Sequence, residues 1–208
     1  MEFLIKLFEQ LKKNKQFPKY QLERRVDIFI NIFLAEILTQ YFNDGTKVQY
    51  ICPEFPIKKA GNRQSTNVDY LCLKELSGEM ELIFIELKTD EHSFDKEQLE
   101  IYMNNRIWKT LRENIHDLSE SKKYKAKYDF LIKRLNEKSI PLNALIRILY
   151  ISPINIKNKI VEKGYTVIND NVKSVSTLLN SSMIFNAEAK IVADLIKDWN
   201  LCVFEISD

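Results

Sequence analysis

Asp69, Glu86 and Lys88 have the types and spacing to act together on one chemistry. In the run Leu82-Ile83-Phe84-Ile85-Glu86-Leu87-Lys88, the period of a strand puts Glu86 and Lys88 on one face and Leu87 on the other. Asn67-Val68-Asp69-Tyr70-Leu71 opens the preceding strand, and hairpin pairing would bring its acid beside Glu86. Two carboxylates with no His or Cys are the hard-oxygen environment that Mg²⁺ or Mn²⁺ prefers. Such an ion neutralises phosphate charge, makes its bound water more acidic and stabilises a leaving oxygen, all of which an anionic phosphodiester requires. Lys88 would orient the nucleophilic water or stabilise developing charge. The competing reading is a structural ion pair, Glu86 with Lys88 or Asp69 with Lys88. Because Leu82 to Leu87 is apolar on both faces, charges at its end sit at a core margin and need a partner on either reading.

The elements that must hold these residues are legible in the apolar periodicity. Phe3, Leu4, Leu7, Phe8 and Leu11 make residues 1–15 a small amphipathic helix, unlike a secretory leader. From Gln21 to Tyr41, Val26, Phe29, Ile30, Phe33, Leu34, Ile37, Leu38 and Tyr41 recur at helical spacing and predict the first long core helix. Val48 to Lys58 and Asn67 to Leu73 predict a hairpin with a basic tip near Gly61 and Asn62. Gly78 turns the chain into the strand that carries Glu86. Asp95 to Asp117 is read as one helix, Lys123 to Asn136 as a second, and Ala144 to Ile151 as another buried strand. Beyond it lie a helix from Ala187 to Trp199 and an apolar run from Leu201 to Ile206; residues 155–182, rich in Ser, Asn and Lys, receive no assignment.

Asp69 followed by Glu86-Leu87-Lys88 resembles the D…(D/E)xK signature of the PD-(D/E)XK, or restriction-endonuclease-like, nuclease superfamily. Gln98 and Tyr102, in Gln-Leu-Glu-Ile-Tyr, are similar to the QxxxY motif of its lambda-exonuclease-related branches. The likeness covers roughly residues 22–151 by pattern, and Val68 stands where the family signature has Pro. It implies an α/β fold with an αβββαβ core, a central mixed sheet flanked by helices, and a single domain over residues 1–208 with 152–208 as an extension. It also implies catalytic roles for Asp69, Glu86, Lys88, Gln98 and Tyr102, and a metal set of Asp69, Glu86, Leu87 and an acid from the first helix. On a helical wheel Glu23 falls near the middle of the apolar stripe and Glu36 at its edge, so Glu23 is the preferred acid. Glu54, in the strand before Asp69, is a third candidate. Gln98 and Tyr102 share a helix face, where they would brace the Lys88 side or bind phosphate; Tyr102 also fits simple core packing. Ser93 and Thr89 would touch phosphate or cap a helix. His92 and His116 lack metal-ligand spacing.

The expected substrate is nucleic acid, DNA above RNA. The net charge of +2 arises from 31 basic and 29 acidic residues, so attraction to a polyanion must come from clusters. One lies at the hairpin tip: Lys58, Lys59 and Arg63. The other, between Arg106 and Lys138, has ten basic residues against five acids, and Tyr124 and Tyr128 interleave with Lys122, Lys123, Lys125 and Lys127; the alternative there is a solvated helix face. Three cysteines, Cys52, Cys72 and Cys202, without CxxC spacing argue against a disulfide framework or zinc knuckle. A cytoplasmic setting is expected, without membrane insertion. Two other functions compete with the metal-dependent nuclease: a catalytically inactive nuclease-fold protein that grips nucleic acid or a protein partner, and an interaction module whose terminal elements build a homo-oligomer.

Overall fold

The structure, a computed structural model, describes residues 2–14, 23–59, 61, 64–120 and 124–207. It is α/β, and its elements in chain order are α1 (Glu2–Asn14), α2 (Glu23–Phe42), β1 (Lys47–Lys58), β2 (Ser65–Leu76), β3 (Glu79–Leu87), α3 (Lys96–Met103), α4 (Trp108–Ser119), α5 (Lys125–Asn136), β4 (Ile146–Pro153), α6 (Ile154–Glu162), β5 (Thr166–Ser174), α7 (Val175–Asn180), α8 (Asn186–Ile196) and β6 (Leu201–Ser207). Neighbouring strands are hydrogen-bonded in the order β1-β2-β3-β4-β6-β5. The sheet is mixed. β1 with β2, β2 with β3, and β5 with β6 pair antiparallel. Along β3 and β4, Leu82 N–H donates to Leu145 O at 3.0 Å and Lys88 N–H to Ile151 O at 2.9 Å; partner numbers that rise together mark a parallel pair.

The chain divides into two compact units, one of Met1–Gly45, Leu87–Phe94 and Tyr150–Ser207, the other of Thr46–Glu86 and Asp95–Leu149. In the first, the helical stripe of α2 is buried as its spacing requires, with Val26, Ile30, Phe33, Leu34, Ile37, Leu38 and Tyr41 all at 3% exposure or less. Each such side chain contributes about 1.5–3 kcal/mol by leaving water. Phe8 of α1 packs its ring 4.5 Å from that of Phe29, and Tyr150 stacks on Phe204 with ring centroids 6.0 Å apart. Residues 155–182 form α6, β5 and α7; Ile156 and Ile160 of α6 and Val175, Leu178 and Leu179 of α7 are buried.

In the second unit, the β2-β3 hairpin turns at Ser77-Gly78, both with positive φ (52° and 86°) between the paired Leu76 and Glu79. Two left-handed positions match the twist of flanking strands, which is why Gly is suited here. The helix expected over residues 95–117 is instead two. Ile107 bridges to Leu145 and Ile146 N–H donates to Arg106 O at 3.2 Å, so the chain between α3 and α4 is drawn into strand-like pairing. Asn105 secures the exit of α3 by donating through Nδ2 to Ile101 O at 2.7 Å.

Candidate active site

β2 and β3 place the first two acids. Their register runs from Leu76 opposite Glu79 to Tyr70 opposite Ile85, and continued by one residue it sets Asp69 opposite Glu86, a separation at which side chains on one face meet. Glu86 is 1% exposed and Asp69 is half-buried.

Glu86 is held from α3. Asp95 starts that helix by accepting Gln98 N–H on its side chain at 3.2 Å, an N-cap that fixes where the helix begins. Gln98 and Tyr102, one turn apart, then reach the same place. Gln98 Nε2 donates to the Tyr102 hydroxyl oxygen and, at 3.3 Å, to the Asn67 carbonyl. The Tyr102 hydroxyl lies 2.7 Å from Glu86 Oε2 and 2.9 Å from Asn67 O. A phenol has one proton, so it serves one acceptor at a time, and a carboxylate at the shorter distance is the stronger one. The two amide hydrogens of Gln98 thus serve the phenol and Asn67, and the phenol proton serves Glu86. Tyr102 is also core: it is fully buried, with its ring 6.0 Å from that of Phe84. The sequence points to a brace on the Lys88 side, phosphate binding or simple core packing; in the structure Tyr102 is buried in the core and its hydroxyl contacts Glu86.

Leu87 is the last residue of β3, its side chain buried, so only its carbonyl could serve an ion. Lys88 follows directly, is 8% exposed and is counted with the first unit. Glu23 opens α2, and its side chain lies outside the described residues. Glu36 accepts Gln40 Nε2 at 3.3 Å and Met183 N–H at 3.0 Å, contacts that tie α2 to the loop before α8. Glu54 is exposed, at a left-handed φ of 45°. Lys58 pairs with Asp117 at 2.8 Å, Lys59 is half-buried, and Lys127 is exposed on α5. Arg63 and Lys123 lie outside the described residues. Ser93 caps no long helix; its hydroxyl donates to Asp90 O at 2.5 Å.

Among the described residues no three or more His, Cys, Asp and Glu side chains form a group able to hold a metal ion. The available donors are the carboxylate pair and main-chain oxygen. That set fits Mg²⁺ or Mn²⁺, which keep several waters and take one or two carboxylates together with substrate phosphate.

Sequence reasoning missed Asn67, whose contribution is a main-chain carbonyl and so carries no side-chain signature. It also missed a cavity of about 450 Å³ beside it, between β1 and α5, lined by Tyr50, Glu54, Asn67, Tyr128 and Arg134 among others. A wider, more open depression between α4 and α5, around His116, Lys125 and Asp129, shares no residue with the carboxylate site. Burial pushes the Cys52 thiol up to about 12 against a smaller opposing pull from Arg134, and burial raises Cys72 further, reinforced by Cys52; both are poor nucleophiles.

Family models, curated proteins and solved structures were all searched, and nothing matches the chain.

Proposed function

We propose that the chain is a divalent-metal nuclease that hydrolyses phosphodiester bonds, DNA above RNA, in the manner of the PD-(D/E)XK superfamily. The observation that carries this reading is the Glu86 carboxylate, almost fully buried on an apolar strand and fixed by the Tyr102 hydroxyl, with Asp69 opposite it when the β2-β3 register is continued by one residue. A buried carboxylate needs hydrogen-bonding or charged partners, and one held at a fixed place by the Tyr102 hydroxyl suits a function that needs a fixed anionic oxygen.

In this reading Asp69 and Glu86 hold Mg²⁺ or Mn²⁺, with the Leu87 carbonyl as a further oxygen. When bound, the ion supplies neutralisation of phosphate charge and a more acidic water. Tyr102 keeps one Glu86 oxygen in place and Gln98 keeps Tyr102 in place, so the carboxylate needs no reorganisation as charge builds on the phosphate. Lys88, two residues beyond Glu86 in the sequence motif, would supply the cation that orients the attacking water or meets the developing charge. Glu23 stands as the additional acid on helical spacing alone.

The test is direct: linear DNA, circular DNA and RNA incubated with the protein and Mg²⁺, Mn²⁺ or EDTA. Metal-dependent cleavage that disappears in Glu86→Gln and Lys88→Ala is the expected result. Cleavage that survives both substitutions, or that proceeds in EDTA, would sink the assignment.

A further inference from the structure

We infer that the cavity between β1 and α5 is a nucleobase pocket, and that the polynucleotide this protein takes is single-stranded. The site-to-strand connection rests on the nuclease reading above; the pocket's binding does not. Its volume of about 450 Å³ is within the range of small-ligand sites, roughly 300–1,000 Å³, and suits one splayed-out base with its sugar. The walls have the two components that single-strand binding uses, π-faces for bases and cations for the backbone. Tyr50, Tyr124 and Tyr128 supply rings, while Lys127 and Arg134 supply charge. These groups come from one helix and the strand it faces, so rings and cations share a single wall: Tyr124 is the N-cap of α5, Lys127 and Tyr128 lie one turn on, and Arg134 about two turns further.

Three further observations favour a base over another occupant. Tyr50 is braced edge-on by the buried Tyr70, ring centroids 6.5 Å apart, so it offers a ring already held in place. Glu54 adds a carboxylate to the wall at a left-handed φ of 45°, a conformation that a non-glycine residue adopts at a cost. There its oxygens can accept from the exocyclic amine of a base, as acidic side chains do for cytosine, while phosphates are left to Lys127 and Arg134. Finally, Asn67 lines the cavity and its carbonyl accepts from Gln98 Nε2, whose other amide hydrogen serves the Tyr102 hydroxyl that holds Glu86. The rim of the pocket is therefore part of the network that fixes Glu86. Asp69 lies two residues further along β2, about 7 Å by strand rise, comparable with the reach from a base to its own phosphate. A duplex keeps its bases stacked inside and cannot enter such a pocket without paying to flip one out.

The experiment is binding in EDTA, read by fluorescence anisotropy, of labelled single-stranded DNA, single-stranded RNA, duplex DNA and a sugar-phosphate oligomer lacking bases, all of equal length. Single strands are expected to bind at least about ten-fold more tightly than the duplex or the abasic oligomer, given the usual worth of base stacking; the DNA and RNA arms read which sugar is preferred. Tyr128→Leu should weaken single-strand binding about ten-fold, with Tyr128→Phe retaining it. Lys127→Ala should flatten the salt dependence by about 0.7 in log–log slope, the share of one single-strand phosphate contact. Equal binding of the duplex or the abasic oligomer overturns the pocket, as does unchanged affinity in a folded Tyr128→Leu. Should that variant not fold, the abasic comparison on the unaltered protein decides alone. This pattern of binding without cleavage in Mg²⁺ or Mn²⁺ leaves the pocket standing and the nuclease reading fallen; metal-dependent cleavage without it does the reverse.

Discussion

Glu86 depends on Tyr102 at 2.7 Å for its fixed Oε2, and a hydrogen bond to a charged group is worth about 1.5–3 kcal/mol. Tyr102→Phe keeps the ring in its buried place against Phe84 and deletes only the hydroxyl, so chemical denaturation should show a loss of about 2 kcal/mol. Gln98→Ala removes one bond to the same hydroxyl and one to the Asn67 carbonyl, so only the first part of its effect should vanish in the Tyr102→Phe background; full additivity in the double-mutant cycle would mean that the two side chains work separately. Cys52 makes a different kind of prediction. Its thiol is pushed from 9.0 up to about 12 by burial, against Arg134. The unfolded thiol ionises first as pH rises, so its contribution to stability is complete below pH 9 and is lost as pH climbs toward the folded value. Cys52→Ala should therefore flatten the decline in stability above pH 9, measured by denaturation at a series of pH values; an unchanged decline would show that Cys52 does not titrate between folded and unfolded states. Glu86 and Lys88 could be picked out in the sequence because charges at the end of an apolar strand are unusual, and Asp69, inside β2, because hairpin pairing would bring it beside Glu86. The Tyr102 to Glu86 contact could not, since it joins residues sixteen apart through helix placement that no local pattern encodes.

At the scale of elements, what a sequence shows is its own periodicity, and what it hides is pairing with distant chain. The stripe of α2 and the Ser77-Gly78 turn are local signals, and both elements formed where the pattern put them. The break between α3 and α4 is not local: the apolar face of residues 95–117 runs on, and only the Ile107 to Leu145 bridge interrupts it. Residues 155–182 stayed unread for a related reason, since their apolar positions are scattered among Ser, Asn and Lys and gain meaning only when buried against other helices. β5 supplies one device that follows from this. Lys173 of β5 donates through Nζ to Tyr41 O and, at 3.3 Å, to Gln40 O, and sits 5.6 Å over the Tyr41 ring. The last turn of α2 holds no basic residue of its own, so this lysine satisfies carbonyls at the negative end of the helix dipole. Lys173→Met, which retains the stem and removes the charge, should cost about 1–2 kcal/mol in urea denaturation. A stability within error of the unaltered protein would show that solvent caps α2 equally well.

For the molecule as a whole, the chain order matters more than its length. Residues 152–208, an extension to the core by sequence pattern, make up much of the first unit together with α1 and α2. Within that unit α7 packs on α2, α8 on α1, and Phe204 of β6 stacks on Tyr150. Val203, Phe204 and Ile206 are fully buried, and so are Ile37 and Leu38 of α2. Removing the chain after Ser152 would strip α2 of its α7 contacts and delete the Lys173 cap, exposing a face whose burial is worth roughly 25 cal/mol per Å². Helices of this length are marginal in water without an apolar face to bury. The second unit lies wholly before Ser152 and retains its own strand pairs, so total helix or strand content is a poor readout of the cut. Hydrogen exchange resolved by peptide is the discriminating measurement: peptides from Glu23 to Phe42 should lose protection in the truncated chain, while peptides from β2 and β3 keep theirs. Protection of α2 that survives the cut would show that residues beyond Ser152 are an appendage after all, and that α2 is held by the remaining chain.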